Sequence, residues 1–366
     1  MKKSLLALAV LGAFAGAASA QSSVTVYGIV DLGINSTDNG ATDGRNTGLV
    51  SGGQSASRIG FKGTEDLGNG LKANFVLEAG FSADTGALGS NTAYGNTPAA
   101  TGTLFSRVST VGLSSANFGA VDLGRQTTVL KDAHDQIDPF GAAGSTGNLE
   151  RIFYNTRGNT AGTGAYVGNV AGGRVSNTIK YTSPSFSGFN AKAAYTFGEQ
   201  TGDNGAGAGY GLGVGYANGP LNVQFAYNNQ DTSAVVAPFA TTSKLKNTLL
   251  GATYDFGIFK LHGAYADTKN EFVVGESKAR NYLLGASVKL GAGTLLASYA
   301  TNDNRTNANA DSKQYALGYT YDLSKRTNLY TGYARTSNDA NANLGATGTP
   351  NGESVSVVNV GIRHKF

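Results

Sequence analysis

The feature that most constrains this chain is a repeat of short segments in which apolar and polar residues alternate. In the first segment the apolar residues of one parity are Val24, Val26, Val30, Leu32 and Ile34, and Thr25, Tyr27 and Asp31 take the other parity. Strand side chains point alternately to the two faces of a sheet, so a period of two predicts a strand with one apolar face. We count sixteen such segments, beginning near Val24, Arg58, Leu71, Phe105, Ala120, Val175, Phe189, Tyr210, Leu221, Thr248, Phe259, Tyr282, Leu295, Tyr315, Leu329 and Val355. The chain is therefore predicted to be all-β.

The connections between these segments alternate strictly between short and long. Short ones such as 66–70 and 218–220 are rich in Gly and Asn, which tolerate the positive φ of hairpin turns. The long ones run near 36–56, 82–104, 127–173, 198–208, 229–246, 268–279, 301–312 and 337–353. Transmembrane barrels show this asymmetry, with short periplasmic turns and long outer loops. A soluble sandwich or propeller has no reason to sort its loops by length to one end. We predict an antiparallel transmembrane β-barrel of sixteen strands.

The first twenty residues have the layout of a secretory signal peptide. A charged start, Met1-Lys2-Lys3, precedes an apolar stretch over 5–15 and the small residues Ala18-Ser19-Ala20. We predict cleavage after Ala20, which leaves 21–366 as a single barrel domain. Beyond this leader no run approaches the ~20 apolar residues of a transmembrane helix, and mean hydropathy is −0.18. Barrel strands are compatible with that value because only alternate residues need to be apolar.

Composition and charge argue against several classes of function. The chain has no Cys, and its formal net charge of +4 falls to +2 without Lys2 and Lys3, too near balance for a nucleic-acid partner. The three histidines, His134, His262 and His364, form no pair at metal-ligand spacing and none lies in a serine nucleophile motif. We therefore expect no metal, no cofactor and no enzymatic activity. Glycines at every second position over 207–215 suit a close-packed strand better than a phosphate-binding loop.

Five stretches spread over the chain carry a family resemblance. They are SSVTVYGIVD at 22–31, SRIGFKGTEDLG at 57–68, LGRQ at 123–126, KYTSP at 180–184 and VGIRHKF at 360–366. They resemble the general porins of β-proteobacteria, within the trimeric sixteen-stranded Gram-negative porin family. The resemblance implies a homotrimer in the bacterial outer membrane, in contact with its lipid and lipopolysaccharide. It also implies that Phe366, which ends the last strand, is the signal read by the barrel assembly machinery.

Sixteen strands enclose an aqueous channel rather than a packed core, and the resemblance implies where that channel narrows. Family members fold the third long loop, here 127–173, into the lumen, and DPFG at 138–141 resembles the tip motif of that loop. The candidate acidic residues of the constriction are Glu78 on the third strand and Asp132, Asp135, Asp138 and Glu150 on the loop. The candidate basic residues are Arg58, Lys62, Arg107, Arg125 and Arg174.

The strand pattern assigns directions to these basic side chains. Arg58 and Lys62 have inward parity, and so does Arg174. Arg107 and Arg125 have the outward parity of their apolar neighbours, which would expose them to lipid at a cost of ~2–4 kcal/mol near mid-bilayer. We therefore expect a bulge or a strand-end position at each of these two arginines.

Basic residues that face an acidic loop across a narrow passage create a transverse field, which favours small ions and polar solutes. We predict passive diffusion of small hydrophilic solutes and ions with a mild preference for anions. Two alternatives stay open: a solute-selective porin, and an adhesin or structural barrel with a plugged lumen.

Overall fold

The computed structural model describes residues 23–89, 103–141, 144–154, 173–231, 234–236, 239–241, 244–272 and 275–366. The predicted signal peptide lies outside these residues. The sheet consists of β1 (Ser23–Asp38), β2a (Asn46–Ser51), β2b (Arg58–Gly68), β3 (Leu71–Gly80), β4 (Val108–Ser115), β5 (Gly119–Thr127), β6 (Arg174–Thr182), β7 (Phe189–Thr196), β8 (Gly209–Asn218), β9 (Leu221–Asp231), β10 (Lys244–Asp255), β11 (Phe259–Glu271), β12 (Glu276–Leu290), β13 (Gly293–Asn304), β14 (Ser312–Asp322), β15 (Thr327–Asn338) and β16 (Val355–Lys365). A short hairpin, Ala234–Val236 with Phe239–Thr241, lies between β9 and β10.

The sheet closes on itself, because β1 is paired on both sides. Its first half pairs with β2b, its second half pairs with β2a, and β16 runs along its other edge from Ile29↔Lys365 to Asp38↔Ser356. Every strand pair is antiparallel and each remaining strand pairs with its neighbours in the chain. Since β2a and β2b together form one wall strand, the barrel has sixteen strands, and the prediction of a closed sixteen-stranded barrel is confirmed.

The second strand is interrupted, which the sequence analysis missed when it assigned all of 36–56 to a loop. Residues 46–51 form β2a, and residues 52–57 leave the wall before β2b begins. The carboxylate of Asp31 holds this break: it accepts hydrogen bonds from the backbone N–H groups of Gln54 and Ser55 at 3.0 and 2.6 Å. It also accepts one from the Tyr330 hydroxyl at 2.6 Å. Asp31 is fully buried, so a polar inward position of β1 fixes the path of the next strand.

The two ends of the barrel differ in the lengths of their connections. Short turns such as Asn69-Gly70, both with positive φ, join strands at one end, as predicted. The long connections lie at the other end, although several are shorter than predicted because strands extend into them. The expected loop 268–279 is reduced to 272–275, because β11 and β12 stay paired up to Glu271↔Glu276. The ladder is extended there by polar residues that the apolar alternation does not mark.

The outer face is apolar and the inner face is mostly polar. Val24, Val26 and Ile34 are more than half exposed on the outside of β1, as the alternation predicts. In the last strand Val358, Val360 and Ile362 likewise face outward together with Phe366. None of the helices in the described residues is long and apolar enough to span a membrane.

Candidate functional site

The third long loop lies inside the barrel. It begins with the helix α1 (Val129–His134), whose N-terminus is capped by Thr128: the Thr128 side chain accepts a hydrogen bond from the Lys131 N–H. A 3-10 turn at Leu149–Arg151 follows. Of the predicted loop 127–173, the structure describes 127–141, 144–154 and 173. The loop crosses the inner wall from the β8 side to the β15 side.

A series of inward glycines makes room for the loop. A Cβ added to any of them would lie closer than 3.0 Å to a loop side chain: Gly213 to Val129, Gly251 to Ile137, Gly285 to Pro139, Gly318 to Phe140 and Gly332 to Thr146. These residues lie on β8, β10, β12, β14 and β15 in turn, and we call them the glycine track. Only glycine permits so close an approach of a loop to a strand without displacing either. Gly213 belongs to the glycine repeat at 207–215, so this part of the repeat forms the surface on which the loop docks.

The loop and the wall behind it share a dry apolar cluster. Leu130, Leu149, Ile152 and Phe153 of the loop are fully buried, and they pack together with inward residues of β9–β13 such as Leu249. Polar contacts fix the same arrangement: the Ile137 carbonyl lies 2.7 Å from His262 Nδ1, and Asn302 Nδ2 donates to the Ile152 carbonyl at 3.0 Å. The expectation of a lumen without a packed core is therefore corrected, because one side of the lumen is packed.

Two arginines contact one carboxylate on the opposite side of the lumen, and a third arginine interacts with it at longer range. Arg107 Nε lies 2.5 Å from Glu78 Oε1, and Arg58 Nη1 lies 3.9 Å from the same oxygen. The Tyr27 hydroxyl donates to Glu78 Oε2 at 3.1 Å. Arg174 interacts electrostatically with Glu78, Arg58 and Arg107. We call Arg58, Arg107, Arg174 and Glu78 the arginine cluster.

Arg107 and Arg125 both lie at irregular positions of the kind that the sequence analysis expected. Arg107 lies just before β4 begins, at a strand end, where strand parity does not hold its side chain outward. Arg125 lies at an irregularity in the pairing of β5 with β6, between Gly124 and Gln126. Its guanidinium donates to the Ser106 carbonyl at 2.7 Å and to the Ser176 hydroxyl at 3.1 Å. These contacts place Arg125 apart from the arginine cluster.

Lys62 has the predicted inward direction but lies to one side of this cluster. Its ammonium group lies 5.4 Å from the centroid of the Tyr27 ring, whose hydroxyl bonds Glu78. Lys62 is two residues further along β2b from Gly60, the residue that pairs with Glu78. It therefore lies beside the arginine cluster, toward the short-turn end of the barrel.

Two lysines that the sequence analysis did not select bind the loop carboxylate Asp132. Lys180 Nζ and Lys192 Nζ lie 3.0 and 2.9 Å from Asp132 Oδ2, and Thr127 Oγ1 donates to Asp132 Oδ1 at 2.6 Å. The signal that could have found them is parity, because Lys180 alternates with the outward residues Ile179 and Tyr181.

A second group of charges lies within the loop itself. Lys131 Nζ contacts Asp135, and it lies 3.1 Å from Glu150 Oε1. His134, Asp135 and Glu150 bring possible ligand atoms within 4.8 Å of one another, a proximity that the sequence spacing does not predict. The ammonium of Lys131 supplies positive charge to both carboxylates. Together Lys131, Lys180 and Lys192 balance the carboxylates of Asp132, Asp135 and Glu150, and we call these six residues the lysine cluster.

Burial sets the protonation behaviour of these loop groups. It raises the pKa values of Asp135 and Glu150, and Lys131 offsets this only in part. Burial would also raise the pKa of Asp132, but Lys180 and Lys192 outweigh it and hold that pKa below its usual value. Burial, aided by Lys131, lowers the pKa of His134 to about 3, so this ring is neutral at ordinary pH.

Asp138, the last predicted acidic residue, serves the loop tip. Its Oδ1 accepts a hydrogen bond from the Phe140 N–H at 2.8 Å, and its own N–H donates to the His134 carbonyl. This turn directs the Phe140 ring toward Gly318 of the glycine track. Because Asp138 is buried and its carboxylate bonds the backbone of the loop, it stabilises the path of the loop.

Comparisons with known proteins agree with this architecture. The family profile described as Gram-negative porin matches residues 7–341. Outer membrane porin protein 32 of Delftia acidovorans is 40% identical over 388 residues, and the match covers 100% of both chains. An outer membrane porin protein of Bordetella pertussis is 34% identical over 417 residues, again with 100% of both chains covered. The solved anion-selective porin from Comamonas acidovorans has a TM-score of 0.79 at 34% identity, covering 94% of this chain and 100% of that chain. The chain belongs to the Gram-negative porin family, and it is an outer-membrane protein that forms a channel for passive diffusion of small hydrophilic solutes.

Proposed function

We propose that this porin prefers anions and that the arginine cluster is the origin of the preference. The observation that carries the proposal is an imbalance of charge inside the barrel: the guanidinium groups of Arg58 and Arg107 lie within 4 Å of the Glu78 carboxylate, and Arg174 adds a third positive charge that interacts with Glu78 at longer range. The lysine cluster, in contrast, holds three lysines and three carboxylates and is balanced. The excess positive charge therefore lies at Arg58, Arg107 and Arg174.

The position of the excess charge follows from the docking of the loop. Because the third loop packs along β8–β15, it fills that side of the lumen, and solutes pass along the side formed by β2b–β7. A positive wall beside a narrow, partly dehydrated passage raises the local concentration of anions. The anion-selective porin from Comamonas acidovorans, to which 94% of this chain is similar, supports the same conclusion.

The proposal is tested by reversal potentials in planar bilayers under a salt gradient. A triple variant, Arg58→Gln, Arg107→Gln and Arg174→Gln, is expected to lose the anion preference or invert it, since Glu78 then lacks its partners. The control is Arg335→Gln, a single change on the outer face of β15. An unchanged reversal potential in the triple variant refutes the assignment to this cluster. Saturable block of the wild-type current by one solute would place the protein among solute-selective porins, and absence of conductance would indicate a plugged barrel.

We also propose that the working form is a homotrimer in contact with lipopolysaccharide. The support is membership of the Gram-negative porin family together with the outward apolar residues of β1 and β16 at the barrel closure. Cross-linking of the purified protein should give a trimer as its largest product. A monomer throughout would contradict the proposal.

Two proposals concern the ends of the chain. We propose that residues 1–20 are removed, in which case the mature protein begins at Gln21 when its N-terminus is sequenced.

We propose that Phe366 is read by the barrel assembly machinery. Its backbone pairs with Gly28 in both directions at 3.1 Å, so the same residue also completes the barrel. Deletion of Phe366 should lower the amount of folded protein in the membrane, and an unchanged amount would exclude this role. The proposed function contains no catalytic step.

A further inference from the structure

Residues 52–57 separate β2a from β2b, and we call this segment the strand break. One residue of β1 holds it. The Asp31 carboxylate accepts hydrogen bonds from the backbone N–H groups of Gln54 and Ser55 at 3.0 and 2.6 Å. The backbone of Asp31 holds the end of the break, since its N–H and its carbonyl both bond the Ser57 hydroxyl, at 3.1 and 3.2 Å. Asp31 is fully buried, so water does not compete for these contacts.

A further partner of the Asp31 carboxylate comes from β15, two strands away around the barrel. The Tyr330 hydroxyl donates to Asp31 Oδ1 at 2.6 Å, and the ring reaches this oxygen across β16. Glycines leave the space for it: a Cβ added to Gly33, Gly53 or Gly361 would lie closer than 3.0 Å to the Tyr330 hydroxyl oxygen. This hydrogen bond is therefore buried beside the seam at which β1 and β16 close the barrel.

The end of the strand break nearest β2b orients one member of the arginine cluster. Arg58 directly follows the break, and its Nε donates to the Ala56 carbonyl at 2.9 Å. The Ser57 carbonyl accepts a hydrogen bond from the Phe81 N–H at 3.2 Å, which fixes this end against the residue that follows β3, the strand of Glu78. The Arg58 guanidinium thus takes its direction from a backbone carbonyl inside the break. A change in the path of the break would move both together.

The other end of the strand break holds the third loop. The Gly53 carbonyl accepts hydrogen bonds from the Ser145 N–H at 2.9 Å and from Asn359 Nδ2 at 3.0 Å. Asn359 Nδ2 also lies 2.8 Å from Ser145 Oγ, to which it donates. A Cβ added to Gly144 would lie closer than 3.0 Å to the same Gly53 carbonyl, so the backbones of the loop and of the break are in direct contact. The strand break is therefore part of the surface on which the loop docks.

We propose that Asp31 is a positioning residue for ion selectivity. Through the strand break it orients Arg58 on one side of the passage and holds the third loop at Ser145 on the other. Asp31 is fully buried and touches no solute, so it acts only through these two contacts. Tyr330 supports it by holding the carboxylate in place. The inference rests on the proposed anion preference and adds the residue that keeps the arginine cluster and the loop in place relative to each other.

The direction of the effect separates positioning from a direct action of the Asp31 charge. A carboxylate that acted by its own charge would attract cations, so its removal would raise the anion preference, the more so because Arg363, its cross-strand partner, keeps its charge. A carboxylate that positions Arg58 has the opposite effect: its removal displaces a guanidinium from the passage and lowers the anion preference. The two roles therefore predict changes of opposite sign in the same measurement.

The test records reversal potentials in a salt gradient and single-channel currents in planar bilayers. Asp31→Asn should lower the ratio of anion to cation permeability about two- to fivefold, the effect of one displaced charge, and its open-channel current should be noisier because the loop end is released. Tyr330→Phe removes a hydrogen bond but no charge, and it should shift both quantities in the same direction, the ratio by less than about twofold. The control Asp38→Asn makes the same change at the far end of β1 and should behave as the wild type does.

A double variant tests the route through Arg58. In the Arg58→Gln background, Asp31→Asn should lower the permeability ratio no further, and additive losses would show that Asp31 does not act through this arginine. A higher anion preference of Asp31→Asn, or a Tyr330→Phe channel identical to the wild type in both quantities, would overturn the positioning role. Tyr330→Phe keeps the packed ring, so it decides the case if Asp31→Asn does not fold.

The current noise keeps this test separate from the proposed function. A wild type without anion preference refutes the proposed function, and the strand break is then judged by the noise alone. Noisier currents in Asp31→Asn and Tyr330→Phe than in Asp38→Asn would still show that the break holds the loop. Equal noise in all three variants would overturn the inference.

Discussion

The two halves of the inner wall differ in chemistry. The half formed by β2b–β7 carries charged side chains, including Arg58, Glu78, Lys180 and Lys192, while the half formed by β8–β15 offers glycine, amide and small apolar residues at the level of the third loop. The loop docks on the second half, where close approach is possible and few charges must be desolvated. One barrel thus separates its tasks: one side of the lumen holds the described part of the loop, and the other side is charged.

The largest effect should come from filling the glycine track. Gly251→Val places a side chain where Ile137 packs, so the loop must move into the lumen, at a cost of about 1–3 kcal/mol typical of overpacking. We expect lower and noisier single-channel conductance. The matched control is Gly263→Val on β11, whose added Cβ would meet only the Leu283 carbonyl at 3.9 Å. Equal conductance of the two variants would show that the track does not position the loop.

A smaller effect is expected where the docked loop contacts the charged half of the wall. Asp132 of the loop binds Lys180 and Lys192 there. Asp132→Asn keeps the shape of the side chain and frees the charges of Lys180 and Lys192. Anion preference should rise by about two- to fivefold, the factor given by roughly 1 kcal/mol or less between charges in water. Reversal potentials measure the change, with Asp66→Asn at a short turn as control. A fall in anion preference would mean that Asp132 does not compensate these lysines.

The smallest effect should come from pH. The pKa values of Asp135 and Glu150 are raised by burial, so acidification from neutral pH to about pH 4 neutralises them before Asp132, and the loop loses negative charge. Anion preference should rise modestly, by less than about twofold. The double variant Asp135→Asn and Glu150→Gln should show no such rise. A wild-type preference that falls on acidification would contradict the assignment.

As pH falls, His134 affects the stability of the docked loop in the opposite direction to Asp135 and Glu150. Raised carboxylate pKa values mean that the docked state binds protons more readily than the free loop, so Asp135 and Glu150 do not release the loop as pH falls. His134 acts the other way. Its pKa in the docked loop is about 3, so docking loses stability as pH falls from the ordinary histidine value of about 6.5 toward 3. The pH experiment is therefore best restricted to values at which conductance is still normal.

The barrel can be predicted from the sequence. A period of two predicts strands, and alternating short and long connections predict their arrangement. The starts of the sixteen segments lie close to those of the observed wall strands, except that the strands predicted to begin near Thr248 and Tyr282 begin earlier, at Lys244 and Glu276, and that β2a was missed. These features are local, because side-chain direction in a strand depends only on position along the strand. The same parity argument explains why Arg58 and Lys62 were assigned the correct direction, and why Arg107 and Arg125 were expected at irregular positions.

Which of these residues contact one another depends on the three-dimensional fold. Arg107 joins Glu78 while Arg125 binds Ser106 and Ser176, although both arginines follow the same alternation in the sequence. Lys180 and Lys192 meet Asp132 because the loop folds back on the wall, and the glycines that admit the loop are spread over five strands. Such contacts depend on the closure of the barrel and on the path of one loop, which bring together residues far apart in the chain. Periodicity sets the face on which a residue lies, and closure and loop docking set its partner.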